Sequence, residues 1–204
     1  GQKIDIALLD SMVSTLTYQA GIYFATGRTP QRMGNRHPSI APYETFEASD
    51  GFFTLGVTND PQWHRFCEAV ELQDLENDPR YVGVRQRVRN ADTLRARLVD
   101  LFRRRTVTHW LEILRRAGIP CGEVRTVAQA LEEPQLRARN MILQVQHPKV
   151  GWIKLTGSPI KMSRSELSEA TAPPTLGQHN GEVYRGILGL SEEEIETLKA
   201  EGVI

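Results

Sequence analysis

The decapeptide Gly34-Asn35-Arg36-His37-Pro38-Ser39-Ile40-Ala41-Pro42-Tyr43 sets the first limit on what this chain can fold into. Each proline fixes its own φ and pushes the preceding residue into an extended conformation, so no helix runs through the segment. It follows an apolar stretch and precedes the first hairpin signal. It therefore reads as a loop joining two bodies of structure. A loop carrying Asn, Arg and His between rigid elements is a common place for a site. Taken alone it names no chemistry, because a plain solvated linker would satisfy the same residues.

Upstream, Ile4, Ile6 and Leu8 alternate with Lys3, Asp5 and Ala7, and this period of two predicts a half-buried strand over residues 2–8. From Leu9 the period changes. Met12, Leu16, Gln19 and Tyr23 recur at helical spacing, and Gly27 suits a helix stop. A strand feeding a helix is half of an α/β unit. One strand cannot make a parallel sheet, so its partners are expected later in the chain or outside it. The first residue is Gly1 rather than Met, and the expectation is a processed product or a fragment.

Downstream of the loop, residues 43–49 and 52–57 flank Asp50-Gly51, the strongest short hairpin signal in the chain. Asp60-Pro61 opens a helix, with Asp60 as N-cap, Pro61 in the first turn and Trp63, Phe66, Cys67 and Val70 as its apolar face. A second start at Asn77-Asp78-Pro79 leads into an Arg-rich stretch. An amphipathic helix follows from Asn90 or Asp92, carrying Leu94, Leu98, Leu101 and Phe102. Thr106 caps the next helix, which stops at Gly118, and Ile119-Pro120-Cys121-Gly122 reads as a turn. Thr126 starts a helix interrupted by Pro134. Residues 141–146 and 151–156 read as strands. Two helices close the chain, the last with a capping box at Ser191 and Glu194.

The 204 residues allow one or two domains. Hydrophobic residues at 40% and charged residues at 25% fit a folded globular chain. The 25 basic and 25 acidic residues cancel, so no bulk charge draws the chain to nucleic acid or to a membrane surface. No apolar run approaches the length of a membrane span. Two cysteines, Cys67 and Cys121, make no disulfide framework, and a reducing, cytoplasmic setting is expected.

The candidates for chemistry are few. Arg80, Arg85, Arg87, Arg89, Arg95, Arg97 and Arg103-Arg104-Arg105 lack interleaved stacking aromatics, so they read as solvated helix faces balanced by Asp78, Asp92 and Asp100. The five histidines show no metal-ligand spacing, and no metal is expected. His37 alone sits in the loop. Asn59-Asp60 lies at a strand-to-helix turn, where a short carboxylate meets free backbone N–H groups. Cys121 has no base beside it in sequence. There is no Walker loop, no G-x-G-x-x-G after a strand and no G-x-S-x-G elbow.

The ordered set of segments resembles the C-terminal half of a class III coenzyme A transferase, the CaiB/BaiF-type family. The matching segments begin with residues 1–10, the loop Gly34…His37-Pro38…Ala41-Pro42-Tyr43, and Phe46-Glu47-Ala48-Ser49-Asp50-Gly51. They continue through Asn59-Asp60-Pro61-Gln62-Trp63, Asp78-Pro79-Arg80, residues 117–122, His147-Pro148 and residues 157–161. Pro173-Pro174-Thr175-Leu176-Gly177-Gln178-His179 and Gly202-Val203-Ile204 complete the set. The resemblance implies an α/β protein in which a strand-helix piece and the C-terminal helices of a Rossmann-like large domain flank a small α+β domain. On this chain that gives residues 1–27 to the large domain, 28–42 to a linker, 43–156 to the small domain, 157–175 to a second linker and 176–204 to the large domain again. It further implies an interlocked homodimer completed by a missing N-terminal half.

The implied reaction moves coenzyme A between an acyl-CoA and a carboxylic acid through an aspartyl anhydride and an enzyme–CoA thioester. Coenzyme A and acyl-CoA are substrates here, and no metal is implied. The nucleophilic aspartate of the family lies upstream of the segment matched by Gly1-Gln2, and Asp5 and Asp10 are on the wrong segment. The resemblance puts Gly34, Asn35, Arg36 and His37 near the thioester, where some members carry a glycine-rich loop; here only Gly34 is a glycine. Asn59 and Asp60 are a secondary candidate pair. A sister branch racemises 2-methylacyl-CoA esters and carries a glutamate where Asp60 stands, which makes a racemase the alternative. A non-catalytic interaction module is the other alternative, because an isolated half would expose a sheet edge.

Overall fold

The Asp50-Gly51 signal is met in full. Strands β1 (Tyr43–Glu47) and β2 (Phe52–Gly56) pair antiparallel, from Tyr43 opposite Gly56 to Glu47 opposite Phe52. The computed structural model describes residues 1–165 and 170–204, and these fall into two units, Gly1–Val124 and Arg125–Ile204. The second linker, 157–175, includes residues 166–169, which lie outside the described residues.

In the first unit the hairpin turn also starts a helix. Asp50 Oδ1 accepts the Val107 N–H at 2.7 Å, so a carboxylate from the hairpin turn satisfies an orphan donor at the head of the Val107–Arg116 helix. Phe46 and Phe53 alternate inward and are packed by α3 (Asp60–Ala69), α6 (Ala91–Phe102) and α7 (Val107–Arg116), with α1 (Leu8–Ser14), α2 (Tyr18–Thr26), α4 (Gln73–Glu76) and α5 (Val84–Arg89) completing the helices of this unit. Phe102 is the hub. Its ring lies 5.0 Å from Phe46, 5.0 Å from Phe53 and 5.1 Å from Trp110, all edge-on. Trp110 Nε1 donates to the Phe102 carbonyl at 2.8 Å, so the buried indole leaves no polar atom unpaired. Each such aromatic contributes about 1.5–3 kcal/mol by burial. Gly118 ends α7 in the left-handed region at φ 68°, as its position after the apolar repeat predicts.

Four local expectations are corrected. Residues 1–7 form no strand, because no strand among the described residues pairs with them; Ile4 and Ile6 stay exposed. The helical repeat from Leu9 to Tyr23 is broken into α1 and α2 at residues 15–17, where Thr17 takes φ 46°. The turn at residues 119–122 leads directly into a third strand, β3 (Cys121–Glu123), which pairs antiparallel with β2 from Leu55 opposite Cys121. The N-cap of α3 is Asn59, not Asp60: Asn59 Oδ1 accepts the Gln62 N–H at 2.9 Å, and Asp60 is already helical.

In the second unit, α8 (Val127–Leu131) begins with a capping box between Thr126 and Gln129, and Pro134 opens α9 (Pro134–Ala138). Strands β4 (Ile142–His147) and β5 (Gly151–Thr156) form a second antiparallel ladder, with Val145 on the inner face and Trp152 exposed. A π-helical segment, Gly181–Ile187, precedes α10 (Glu192–Ala200), whose capping box at Ser191 and Glu194 is present as expected. The mixed α/β class is borne out, with small antiparallel sheets. Among the described residues no helix is long and apolar enough to cross a membrane.

Candidate functional site

The 34–42 loop is held against β1 and α6 at several points. Gly34 takes φ 65°, a turn conformation that costs glycine little. Asn35 Oδ1 accepts the Thr45 N–H at 3.3 Å, and the His37 N–H donates to the Tyr43 carbonyl at 3.0 Å. Arg36 Nη1 meets Asp92 Oδ1 on α6 at 2.6 Å, which raises the Arg36 pKa through that hydrogen bond. The loop ends in a cis Ala41–Pro42 bond.

His37 stands between two tyrosine rings, 5.1 Å from Tyr18 and 5.3 Å from Tyr43. Its Nδ1 accepts the Ser39 N–H at 3.2 Å. In the neutral ring that leaves the proton on Nε2, so His37 presents a fixed donor. Two open clefts border the loop. One, of about 360 Å³, is lined by Asn35, Tyr43, Thr54, Gly56 and Cys121; the other, of about 510 Å³, by Gly34, Arg36, Glu44, Asp92 and Arg95. Cys121 thus faces a cleft, and burial pushes its thiol pKa up rather than activating it.

Asn59 and Asp60 do different work. The Asn59 side chain is used as a helix cap. Asp60 Oδ1 accepts from Arg87 Nη2 at 2.9 Å. The Arg-rich stretch predicts a solvated Arg87, but Arg87 is fully buried. Its Nε donates to the Ala41 carbonyl and its Nη1 to the Tyr81 carbonyl, both at 3.0 Å, and the Trp63 ring lies 5.0 Å from its guanidinium carbon. Burial lowers its pKa, and Asp60 opposes that shift. Arg87 therefore brings together two regions the sequence singled out separately, the end of the loop and Asp60. No sequence signal marked it, since Ala41 and Asp60 are far away along the chain. Three neighbouring arginines do pair at the surface, Arg80 with Asp78, Arg97 with Asp74 and Arg103 with Glu47, while Arg95 reaches the buried Glu44. Among the described residues no three His, Cys, Asp or Glu side chains cluster so as to hold a metal ion.

Comparison with known proteins gives this arrangement its class. Residues 1–180 match CoA-transferase family III, and the chain belongs to that family. An acyl-CoA transferase of Fusarium pseudograminearum is 32% identical over 100% of this chain and 45% of its own length. Human succinyl-CoA:glutarate CoA-transferase is 30% identical over 100% of this chain and 47% of its own. Acetyl-CoA:oxalate CoA-transferase of Acetobacter aceti is 35% identical over 80% of this chain and 41% of its own. A crystal structure of a CaiB/BaiF family protein from Brucella suis superposes with a TM-score of 0.73 at 34% identity, covering 90% of this chain and 47% of that one. The chain spans about half the length of the curated relatives it matches.

Proposed function

We propose that this chain is the C-terminal half of a class III CoA-transferase, and that the whole protein moves coenzyme A between an acyl-CoA and a free carboxylic acid. The observation that carries the reading is the match over the whole chain to relatives named for CoA exchange between acids. The nucleophile is an aspartate outside this chain. Its carboxylate attacks the thioester carbonyl, the C–S bond breaks, and coenzyme A leaves as thiolate from a mixed anhydride. The thiolate then attacks the aspartyl carbonyl and releases the first acid. The acceptor carboxylate runs the same steps in reverse.

This chain's part is to shape and dry the site. His37 supplies its Nε2–H to the oxygen that gains charge, and residues 34–42 keep water from the anhydride. Residues 1–27 and 176–204 belong to the large domain, 43–156 form the small one, and 28–42 and 157–175 link them. Two copies interlock as a homodimer in the cytoplasm. Leu8, Leu9 and Phe24 in the first unit and Leu176 and Ile187 in the second are exposed, and such apolar surface asks for a cover, which the upstream half and a second copy would supply.

The racemase reading gains nothing from Asp60, whose carboxylate is the counter-ion of a buried arginine. The test is exchange by the polypeptide carrying its upstream half. Transfer of coenzyme A from succinyl-CoA to a dicarboxylate, with an acyl intermediate trapped by hydroxylamine, is expected. Deuterium wash-in at the α-carbon of a 2-methylacyl-CoA without transfer would replace this reading with the racemase.

A further inference from the structure

A fully buried charge needs a reason, and the reaction above gives Arg87 none. Its fork is used on three separate segments: Ala41 at the end of the loop, Tyr81 ahead of α5, and Asp60 in the first turn of α3. The Trp63 ring covers one face. A guanidinium is planar with fixed donor angles, so three partners determine where the Ala41 carbonyl sits relative to α3 and α5. An apolar side chain could fill the same space without desolvating a charge, which favours a role in fixing geometry over one in stability. The loop's own side-chain ion pair, Arg36 with Asp92, is solvent-exposed and holds weakly.

We propose that Arg87 is a positioning residue for the 34–42 loop: by holding the Ala41 carbonyl it sets where His37 stands over the reacting thioester. The link to the thioester rests on the transferase reading; the hold on the loop does not. A displaced loop has a consequence that simple loss of fold does not share. Water attacks the anhydride carbonyl, the acyl C–O bond breaks, and two carboxylates form. The net result is acyl-CoA plus water giving acid plus free coenzyme A. Poor folding lowers transfer and hydrolysis together, whereas a misplaced loop changes their ratio.

The experiment uses Arg87→Lys in the polypeptide carrying its upstream half, with Arg97→Lys, in an exposed pair with Asp74, as a control that makes the same chemical change at the surface. Arg87→Gln takes its place if the lysine variant does not fold. Amide hydrogen exchange across residues 34–42 is compared with that of α6 and α7, and hydrolysis of succinyl-CoA is compared with transfer. Arg87→Lys is expected to raise exchange in 34–42 about tenfold with α6 and α7 unchanged, and to raise the hydrolysis-to-transfer ratio on the order of tenfold. Arg97→Lys is expected to change neither by more than about twofold. Unchanged protection of 34–42 in Arg87→Lys overturns the proposal. Raised exchange with an unchanged ratio overturns the link to the reaction. Wild-type protein that transfers nothing counts against the transferase reading, while the exchange result still decides whether Arg87 holds the loop.

Discussion

Arg87 Nη2 donates to Asp60 Oδ1 at 2.9 Å from a guanidinium with no exposed surface, toward a carboxylate that is half in water. The pair is half-buried, so losing its exposed member strands a desolvated cation, unlike the loss of a carboxylate from an exposed pair. Asp60→Ala leaves a buried cation without its carboxylate and is expected to cost about 3 kcal/mol. Asp92→Ala, which breaks the exposed pair with Arg36, is expected to cost about 1 kcal/mol or less. Urea unfolding of both variants checks the contrast, and equal midpoints would contradict it.

Phe102 touches four other aromatic rings. Truncation to alanine leaves a cavity among rigid rings that collapse poorly. Phe102→Ala is expected to lose about 3–5 kcal/mol, seen as a lower denaturant midpoint. A loss below about 1 kcal/mol would mean the cluster is not the centre of the core.

The two thiols should react in a fixed order. Burial pushes the Cys67 pKa up to about 12, and Cys121 is raised less deeply within a part-exposed strand. Thiol reagent at pH 8 is expected to label Cys121 first and Cys67 only as the chain opens. The stability effect has a definite sign. The folded pKa of Cys67 lies above its ordinary value of 9.0, so its contribution is full below that value and is lost as pH rises toward about 12. Equal labelling rates in the native protein would contradict the burial.

His37→Ala removes the fixed Nε2–H donor between Tyr18 and Tyr43. In the polypeptide carrying its upstream half, kcat is expected to fall on the order of a hundredfold with little change in KM. Unchanged turnover would remove the loop from the reaction.

Local rules read much of this chain well, for local reasons. The Asp50-Gly51 hairpin, the Thr106 and Thr126 caps, the Ser191 capping box and the Gly118 stop each depend on a few adjacent residues. What escaped depends on distance. Arg87 and Ala41 are 46 positions apart, and nothing in an Arg-rich stretch tells the one buried guanidinium from its solvated neighbours. Asp60 and Asn59 are both good caps by type; Asn59 takes that place and Asp60 meets Arg87, a partner 27 positions away. The alternation in residues 2–8 is a strand pattern without a strand, because hydrogen-bonded pairing needs a partner. Cys121 joins a sheet only because β2 has a free edge to offer.

The central claim is that the attacking carboxylate lies outside these 204 residues, and a heavy-oxygen label locates it directly. An acceptor acid labelled at both carboxylate oxygens gives up one oxygen to the enzyme carboxylate when its anhydride is cleaved by coenzyme A at the acceptor carbonyl. Peptide mass spectrometry after turnover is predicted to find the label on an aspartate upstream of Gly1. Label on a carboxylate within residues 1–204, or turnover that leaves the protein unlabelled, would contradict the account.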